Sequence, residues 1–288
     1  MRAASPLALA LAAVLTVTLV AAAETPSIDL AGVLERVGER VAMYYARAQS
    51  VVCIDTVRLQ SMRFDFSTDG PGRQLVYDLR VSWTPPASPG DAPEANVLRE
   101  LKSVNGRPAK AGDEPECLDP KPISLDPLLF LLAEHQHEYS FRFKGTDRQD
   151  GRPAIVLEYS AAGDPAPEIS WRDTCVTLSL PSRTTGRVWI DQASGDVIRL
   201  DERVMGPYDI AVPRAAQRVS GPLSIIFDRA DSTIRYKPVA FHEPEEIVML
   251  PESIESTSVF RGTGAERIRT TQKLSAYQRF VTDARVVP

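Results

Sequence analysis

Two neighbouring histidines come nearest, by residue type and spacing, to a site that could do chemistry in this chain. His135 and His137 lie between Glu134 and Glu138, which brings together the imidazole and carboxylate ligands that zinc accepts. Ligands on one helical face are three or four residues apart, however, and a helix C-terminus explains histidine electrostatically. We therefore expect no metal and no cofactor. A metal-dependent hydrolase using Glu134, His135 and His137 is the third of three functional hypotheses.

The remaining candidates for acid–base or nucleophilic chemistry also have structural explanations. Asp201 and Glu202 are neighbours on a predicted strand, so their side chains point to opposite faces and cannot act on one substrate. Arg199 and Arg203 share a face with Asp201, which predicts a charge ladder on the surface. His242 lies in an acidic turn, and no serine stands in a Gly-x-Ser-x-Gly motif. The sequence therefore predicts a protein that is not an enzyme.

The N-terminus is typical of a secretory signal peptide. Arg2 provides a positive charge, residues 7–20 are almost entirely apolar, and residues 21–23 are alanines that suit a cleavage site. The apolar run is short for a membrane span, and no later stretch is apolar enough to cross a bilayer. We expect residues 1–23 to be removed. Residues 24–288 are then expected to form a single periplasmic or secreted domain without a membrane span.

Charge and cysteine content restrict the partners and the compartment. The formal net charge is −5 with scattered arginines, which excludes the basic patch of a nucleic-acid-binding protein. Cys53 lies in an apolar run and is expected to be a buried thiol. Cys117 and Cys175 lie beside loop-like sequence and are predicted to form a disulfide that closes a long loop, with three reduced thiols as the alternative.

Apolar periodicity predicts two helices. Residues 28–48 place Leu30, Leu34, Val37 and Val41 three or four positions apart, which gives one apolar stripe, and Ser27 or Asp29 can cap its start. A shorter helix is predicted at residues 124–136, where four leucines follow an Asp-Pro pair.

Most of the remaining chain is predicted to be strand. Apolar and polar residues alternate in 73–83, 138–144 and 196–204, which is typical of an antiparallel sheet with one wet face. Further strands are predicted at 50–60, 97–105, 153–160, 174–180, 186–192, 232–241, 247–260 and 266–282. Three segments with several prolines are predicted to be loops, at 84–96, 161–173 and 206–222.

One hairpin carries a resemblance to a known group of proteins. Residues 186–200 form a strand, a tight turn and a returning strand, in which Trp189-Ile190-Asp191 is followed by Gly195 and Arg199. This hairpin resembles the one in the lipoprotein-localisation (Lol) carrier and receptor superfamily and in uncharacterised secreted bacterial proteins of that layout. The resemblance implies an α+β fold. It would be a large curved antiparallel β-sheet, an incomplete barrel, with an N-terminal helix and a shorter helix on the concave side.

The same resemblance implies a function in binding. A curved sheet with one apolar face forms a concavity that can hold a lipid, a lipoprotein or another hydrophobic ligand. The alternative is an interaction or sensor module that binds a polypeptide partner, such as another envelope protein, through the proline-rich loops. The residues predicted to line the concavity are Leu75, Tyr77, Leu79, Trp83, Phe141, Phe143 and Trp189. Packing in an ordinary core against the helices is the default explanation for any one of them.

Overall fold

The computed structural model describes residues 28–47, 51–84, 94–113, 127–172, 175–217, 221–242, 245–263 and 266–279. The predicted signal peptide, residues 1–23, lies outside these ranges. Helix α1 spans Leu30–Arg47, close to the predicted 28–48. Its first turn is capped by Asp29, whose Oδ1 accepts a hydrogen bond from the backbone N–H of Gly32 at 3.0 Å. The helix buries Val33, Val37, Val41 and Tyr45, the stripe that the periodicity predicted.

Thirteen strands occur in the part of the chain that the structure describes. Their bounds are β1 Val51–Ser61, β2 Arg73–Thr84, β3 Glu94–Val104, β4 Arg107–Pro108, β5 Tyr139–Gln149, β6 Arg152–Ala161, β7 Glu168–Arg172, β8 Cys175–Ser179, β9 Thr184–Asp191, β10 Val197–Ala211, β11 Ser224–His242, β12 Glu245–Arg261 and β13 Arg267–Arg279.

Eleven of these strands form one antiparallel sheet, in the order β4-β3-β2-β1-β13-β12-β11-β10-β9-β6-β5. The sheet is not closed into a barrel, since β4 and β5 are its edges. The last strand, β13, pairs with β1 on one side and β12 on the other, so it joins the two ends of the chain. Strands β7 and β8 form a separate hairpin. The predicted α+β class with a large, curved, open antiparallel sheet is confirmed.

The main core lies between α1 and one face of this sheet, which we call the concave face. Side chains from β1, β2, β6 and β9–β13 pack there against the buried stripe of α1. Alternation along each strand places the other side chains on the opposite face, which we call the outer face. For example, Val188 and Ile190 of β9 belong to the main core, whereas Trp189 lies on the outer face with Val156 and Ile198.

The prediction of a shorter helix at 124–136 is wrong, because the described part of this segment forms 3-10 turns and no α-helix. In the described part of that range, residues 127–136, the chain makes 3-10 turns at Leu129–Leu131 and, just beyond, at Gln136–Glu138. Between them Leu132 is extended (φ −64°, ψ 141°), which ends the first turn. The Gln136 amide also donates to the carbonyl of Leu34 at 2.9 Å, which ties the segment to α1. Gly38 of α1 allows this close approach, because a Cβ there would lie 3.1 Å from the Leu131 oxygen.

The predicted loops at 161–173 and 206–222 are partly strand. Strand β10 continues to Ala211 by absorbing Gly206 and Pro207 in a bulge between Met205 and Tyr208. A bulge accepts proline because the extra residue leaves the hydrogen-bonded ladder. Residues 168–172 form β7, which pairs with β8. Of the predicted loop at 84–96, the stretch 85–93 lies outside the described residues, and β3 begins at Glu94.

Candidate functional site

A cavity of about 690 Å³ lies on the concave face, beside the main core. The β7–β8 hairpin covers one side, the 127–138 segment forms a wall, and β9–β13 form the floor. This volume falls within the usual range for small-molecule sites, about 300–1,000 Å³. Its apolar lining comes from Leu129, Phe130, Val176, Leu178, Leu180, Leu200, Val204, Phe227, Ala230, Ile234, Ile254 and Phe260.

The β7–β8 hairpin holds its position through its own apolar side. Trp171, Val176 and Leu178 pack with Leu180, which follows the hairpin, against a cluster that includes Phe227 on β11. A two-stranded hairpin is marginal by itself and needs such a surface to be stable. The hairpin therefore covers part of the cavity, with β8 facing it, by packing against strands that are distant in sequence.

The wall of the cavity is aromatic and belongs to the 127–138 segment. The ring of Phe130 stacks on Tyr159 with centroids 4.0 Å apart, and it also contacts Tyr139 at 5.6 Å and Phe141 at 6.1 Å. Phe130 and Tyr159 are both buried. Such offset aromatic contacts fix ring orientation and add to the burial energy. The stack therefore sets a rigid side to the cavity at the β5–β6 edge of the sheet.

The floor of the cavity belongs to two rows of residues that the strand register aligns across the sheet, and part of each row lines the cavity. One row is apolar until its last member and runs Leu157, Val188, Leu200, Ile234, Ile254 and Gln272. The next row is more polar and runs Phe141, Tyr159, Gly186, Glu202, Ser232, Ser256 and Thr270. An apolar cavity with a few polar groups on its floor is the usual composition of a ligand site.

Glu202 places a carboxyl group on this floor. The Tyr159 hydroxyl donates to Glu202 Oε2 at 3.3 Å. Burial raises the pKa of Glu202 above its usual value, against a smaller lowering by the Tyr159 hydrogen bond. The pKa of Tyr159 is also raised, first by its own burial and then by the Glu202 charge. Both groups are therefore biased towards their neutral, hydrogen-bonding forms.

Gly186 makes the Tyr159–Glu202 contact possible. Gly186 lies between Tyr159 and Glu202 in the row, and the Tyr159 ring lies across it. A Cβ at residue 186 would come within 2.3 Å of Tyr159 Cζ, which no side chain tolerates. Glycine is therefore required here for close approach, rather than for an unusual backbone angle.

Gln272 places an amide at the other end of the floor. Its side chain is only 5% exposed, and it lines the cavity. Its Oε1 is buried and accepts no hydrogen bond from any of the described residues. Ile254 and Val57 flank it in the ladder, so its neighbours on the adjacent strands are apolar. A buried acceptor without a hydrogen bond destabilises the folded state by about 1–3 kcal/mol, unless a water molecule or a ligand donates to it.

The predicted lining residues of β2 lie on the concave face but away from the cavity. Leu75, Tyr77 and Leu79 are at most 1% exposed and pack in the core. Arg99 stacks over the Tyr77 ring at 3.7 Å and forms a buried ion pair with Asp55. These residues occupy tightly packed positions, and none of them lines the cavity.

The other predicted residues divide between an edge and the outer face. Phe141 and Phe143 are half-buried on the edge strand β5, and Phe141 reaches the cavity through its contact with Phe130. The expected common face is wrong for Trp189, which lies on the outer face. There its Nε1–H donates to Asp147 Oδ2 at 2.9 Å, and the Arg199 guanidinium lies 4.5 Å from the ring. The side chain of Trp83 lies outside the described residues.

Sequence reasoning missed Glu202, Gln272 and Phe130 as site residues. A signal was present for Glu202, because it occupies the apolar phase of the alternation between Leu200 and Val204. A polar residue at an apolar position of the alternation indicates either that this face is exposed to solvent or that a polar group is buried. The structure shows that Glu202 is a buried polar group. Phe130 had no such signal, because only the tertiary fold places it beside Tyr159.

The residues first considered for chemistry occupy structural positions. His135 Nδ1 lies 2.8 Å from Glu138 Oε1 at the surface, and no metal-binding group of three or more ligands occurs among the described residues. Arg199 forms a bidentate pair with Asp201, as the predicted ladder requires. In the part of the chain described, no helix has the length and hydropathy needed to cross a membrane.

The cysteines differ in environment. Cys53 is a free, buried thiol, and burial together with the nearby Asp55 charge raises its pKa to about 12. This agrees with its prediction as a small buried side chain. Cys175 begins β8, beside the cavity roof. Cys117 lies outside the described residues, so the Cys117–Cys175 pairing stays a prediction.

The fold is similar to several solved structures at low sequence identity. A LolA superfamily protein from Nitrosomonas europaea has 12% identity over 88% of this chain and 95% of that chain, with a TM-score of 0.35. A putative outer membrane lipoprotein-sorting protein domain from Vibrio parahaemolyticus has 12% identity over 86% and 92%, with a TM-score of 0.38. A DUF1329 family protein from Desulfovibrio piger has 8% identity over 89% and 95%, with a TM-score of 0.44.

No family model matches this chain, and no curated protein matches it. At these identities and TM-scores, the function of the chain is inferred from its own residues.

Proposed function

We propose that this chain is an exported binding protein without catalytic activity, which holds a lipid, the acyl part of a lipoprotein or another hydrophobic ligand. The observation that carries the proposal is the cavity of about 690 Å³ between the β7–β8 hairpin and the concave face. Its lining is mainly aliphatic and aromatic, and its roof is a hairpin that contacts the sheet through side chains. Each methylene of a ligand buried there contributes about 0.8 kcal/mol.

The cavity disfavours charge on the titratable side chains of its lining. The titratable side chains that line it are Tyr139, Tyr159 and Glu202. The pKa of Tyr139 is raised by burial and by nearby carboxylates, and the pKa values of the other two are raised as well. Burial therefore disfavours the charged forms of these groups, and the apolar or hydrogen-bonding part of a ligand suits them.

The test is native mass spectrometry of protein exported to a bacterial periplasm, followed by organic extraction. A discrete bound lipid or acylated species is the expected result. Ala230→Trp places a large ring in the cavity from its floor and should abolish the bound mass. The control is Ala240→Trp on the same strand, where the side chain is exposed and binding should be retained. A clean apo mass, with no uptake of added long-chain fatty acids, would contradict the proposal.

The alternative occupant, a polypeptide segment, is an outcome of the same experiment. A co-purifying peptide that is displaced by Ala230→Trp would favour the interaction module over the lipid carrier. Export is tested on the same material by N-terminal sequencing of the periplasmic fraction. A mature N-terminus at or near Glu24 supports the signal peptide, and retention of residues 1–23 would contradict it.

A further inference from the structure

One edge of the large sheet is open along the first half of β5. In the described part of the chain, β5 pairs with β6 and with no other strand. Native proteins usually blunt such an edge with proline, lysine, a charge that points inward or a bulge. On β5 the lysine, Lys144, and the bulge both lie beyond Phe143. Residues 139–143 carry none of these features.

The hydrogen-bonding phase of β5 directs alternate backbone groups to the open edge. The Ala162 N–H donates to the Glu138 carbonyl at 2.7 Å, so Tyr139 lies in a non-hydrogen-bonded pair with β6. Phe141 and Phe143 are in the same phase. Their N–H and C=O groups point away from β6, and no described residue forms a hydrogen bond with them. These groups can form a ladder with one further strand.

The side chains of residues 139–143 differ between the two faces of this edge. Tyr139, Phe141 and Phe143 are half-buried on the concave face, whereas Ser140 and Arg142 are exposed on the outer face. The inward side chains of an added strand would cover the exposed parts of the aromatic rings. One of its outward side chains would lie beside Arg142 in a non-hydrogen-bonded pair, the arrangement in which opposite side chains are closest.

Positive charge is in excess on the outer face at this edge. Lys144 Nζ lies 3.3 Å from Glu158 Oε2, and Arg187 Nε lies 3.7 Å from Glu158 Oε1. Arg142 is opposite Glu158 in the ladder and forms no ion pair with a described residue. One carboxylate therefore faces three cations. An acidic side chain on the added strand complements this excess, whereas a second copy of this chain would bring the same positive charge to the edge.

We propose that residues 139–143 bind an extended polypeptide segment by strand addition, and that this segment alternates apolar residues on the concave face with acidic residues on the outer face. Main-chain hydrogen bonds to Phe141 and Phe143 provide affinity, and the contact with Arg142 selects the acidic partner. The inference goes beyond the proposed function and does not depend on it, because backbone groups of the sheet edge hold this partner.

The experiment measures fluorescence anisotropy of labelled, capped peptides with the full-length mature protein. The first probe has the sequence Thr-Val-Glu-Val-Glu-Val-Thr, and the second has lysine in place of each glutamate. We expect the glutamate peptide to bind at least about 10-fold more tightly than the lysine peptide, because like charges across an interface are strongly unfavourable.

N-methylated peptides test the ladder itself. The valines would lie opposite Phe141 and Phe143 in hydrogen-bonded pairs, so N-methylation of the valines should abolish binding. N-methylation of the glutamates is the matched control. Their amides point away from β5, so this peptide should still bind.

A charge reversal on the protein tests the selectivity. Arg142→Glu should reverse the order of affinity, so that the lysine peptide binds more tightly than the glutamate peptide. Arg148→Glu is the control, because Arg148 is exposed on the same strand but lies beyond the bulge. Six residues of strand separate it from Arg142 by about 20 Å. This exceeds the Debye length of about 8 Å at physiological salt, so the preference should persist.

A proline at the edge tests the backbone contact from the side of the protein. Phe143→Pro removes an N–H that points to the open edge and leaves the hydrogen bonds with β6 in place, so peptide binding should be lost. Phe143→Leu keeps the N–H and should retain binding. Thermal unfolding of the variants checks that they remain folded.

Several results would overturn the edge site. They are equal or absent binding of the glutamate and lysine peptides, and binding that survives N-methylation of the valines. Binding that is lost in Ala230→Trp but retained in Phe143→Pro would place the peptide in the cavity. A dimer of the protein alone that Phe143→Pro dissociates would assign the edge to a second copy. The lipid-binding test of the cavity is independent of all these outcomes.

Discussion

Arg99 and Asp55 form an ion pair inside the protein: Arg99 Nη2 lies 2.7 Å from Asp55 Oδ2, and the side chains are 7% and 0% exposed. Arg99 extends from β3 across β2, where its guanidinium stacks on the Tyr77 ring, to reach Asp55 on β1. The pair therefore links three strands on the concave face. A buried pair of this kind specifies register, since a shift of one residue would place each charge on the opposite face.

Arg99→Met should destabilise the protein strongly. The substitution keeps much of the apolar volume but leaves the Asp55 carboxylate buried without its guanidinium, which costs about 3–5 kcal/mol. The double variant Arg99→Met/Asp55→Leu should recover much of the loss, because neither charge then remains. Denaturant unfolding of the two variants measures both values. Equal stability of the single and double variants would show that the Asp55 charge is not the cause.

Gly186→Ala should disturb both stability and the floor of the cavity. The new methyl group would overlap the Tyr159 ring, and overpacking of this kind costs about 1–3 kcal/mol. Tyr159→Leu removes the ring, so Gly186→Ala should cost much less in that background. A double-mutant cycle by denaturant unfolding gives the coupling. Additive effects would contradict the contact.

Stability should fall as the pH rises above the ordinary glutamate pKa of about 4.3, through the contribution of Glu202. Its folded-state pKa is raised, so in this range the unfolded state releases a proton that the folded state keeps. The destabilising contribution of Glu202 is absent below the unfolded-state pKa, where the carboxyl is protonated in both states. It reaches its full value above the folded-state pKa, where the carboxyl is ionised in both states. Tyr139 and Tyr159 are the titratable groups that interact with this carboxyl, and the pKa of each is raised above its ordinary value, so both stay neutral over this range.

Glu202→Gln tests this effect because it keeps the hydrogen-bonding shape and removes the titration. The free energy of unfolding, measured from pH 4 to pH 8, should decline less for the variant than for the wild type. Glu255→Gln, on the neighbouring strand β12, is the control and should follow the wild-type curve. A parallel decline in Glu202→Gln and the wild type would assign the pH dependence to other groups.

Thiol labelling should separate the three cysteines. In the folded protein Cys53 should resist iodoacetamide, because it is buried and its pKa is raised to about 12. In denaturant without reductant, Cys53 alone should become labelled if Cys117 and Cys175 are paired. Reduction should then expose all of the cysteines. Labelling of Cys117 and Cys175 before reduction would contradict the predicted disulfide, whose loss should otherwise cost about 4 kcal/mol.

Local periodicity was enough to identify the main elements of the fold. Helix α1 was predicted within two residues at each end, because its apolar spacing and the Asp29 cap are local signals. The strands with strict alternation were also located, as for β2 and β5. The prolines at 206–222 misled the prediction, because Pro207 lies in a bulge that only pairing with β11 reveals.

The register of the strands decides on which face of the sheet each side chain lies. A bulge between Val197 and Arg199 places Ile198 on the outer face with Trp189, while Val197 and Leu200 belong to the main core. A bulge changes the phase of a strand by one residue, so alternation read along the sequence cannot assign faces beyond it. Trp189 lies between the core residues Val188 and Ile190 on β9, so alternation places it on the outer face and not on the ligand face to which it was assigned.

From the sequence alone one could determine most of the chain's element types, its β-rich class and the absence of a recognisable catalytic motif, since these depend on residues near each other in the chain. The cavity required the tertiary structure. Phe130, Leu178, Glu202 and Gln272 come from four distant segments, and only Glu202 stands out among its own neighbours, as a polar residue in an apolar phase. They meet because pairing and hairpin packing bring distant strands together, and long-range contacts of that kind leave no periodic signal in the sequence.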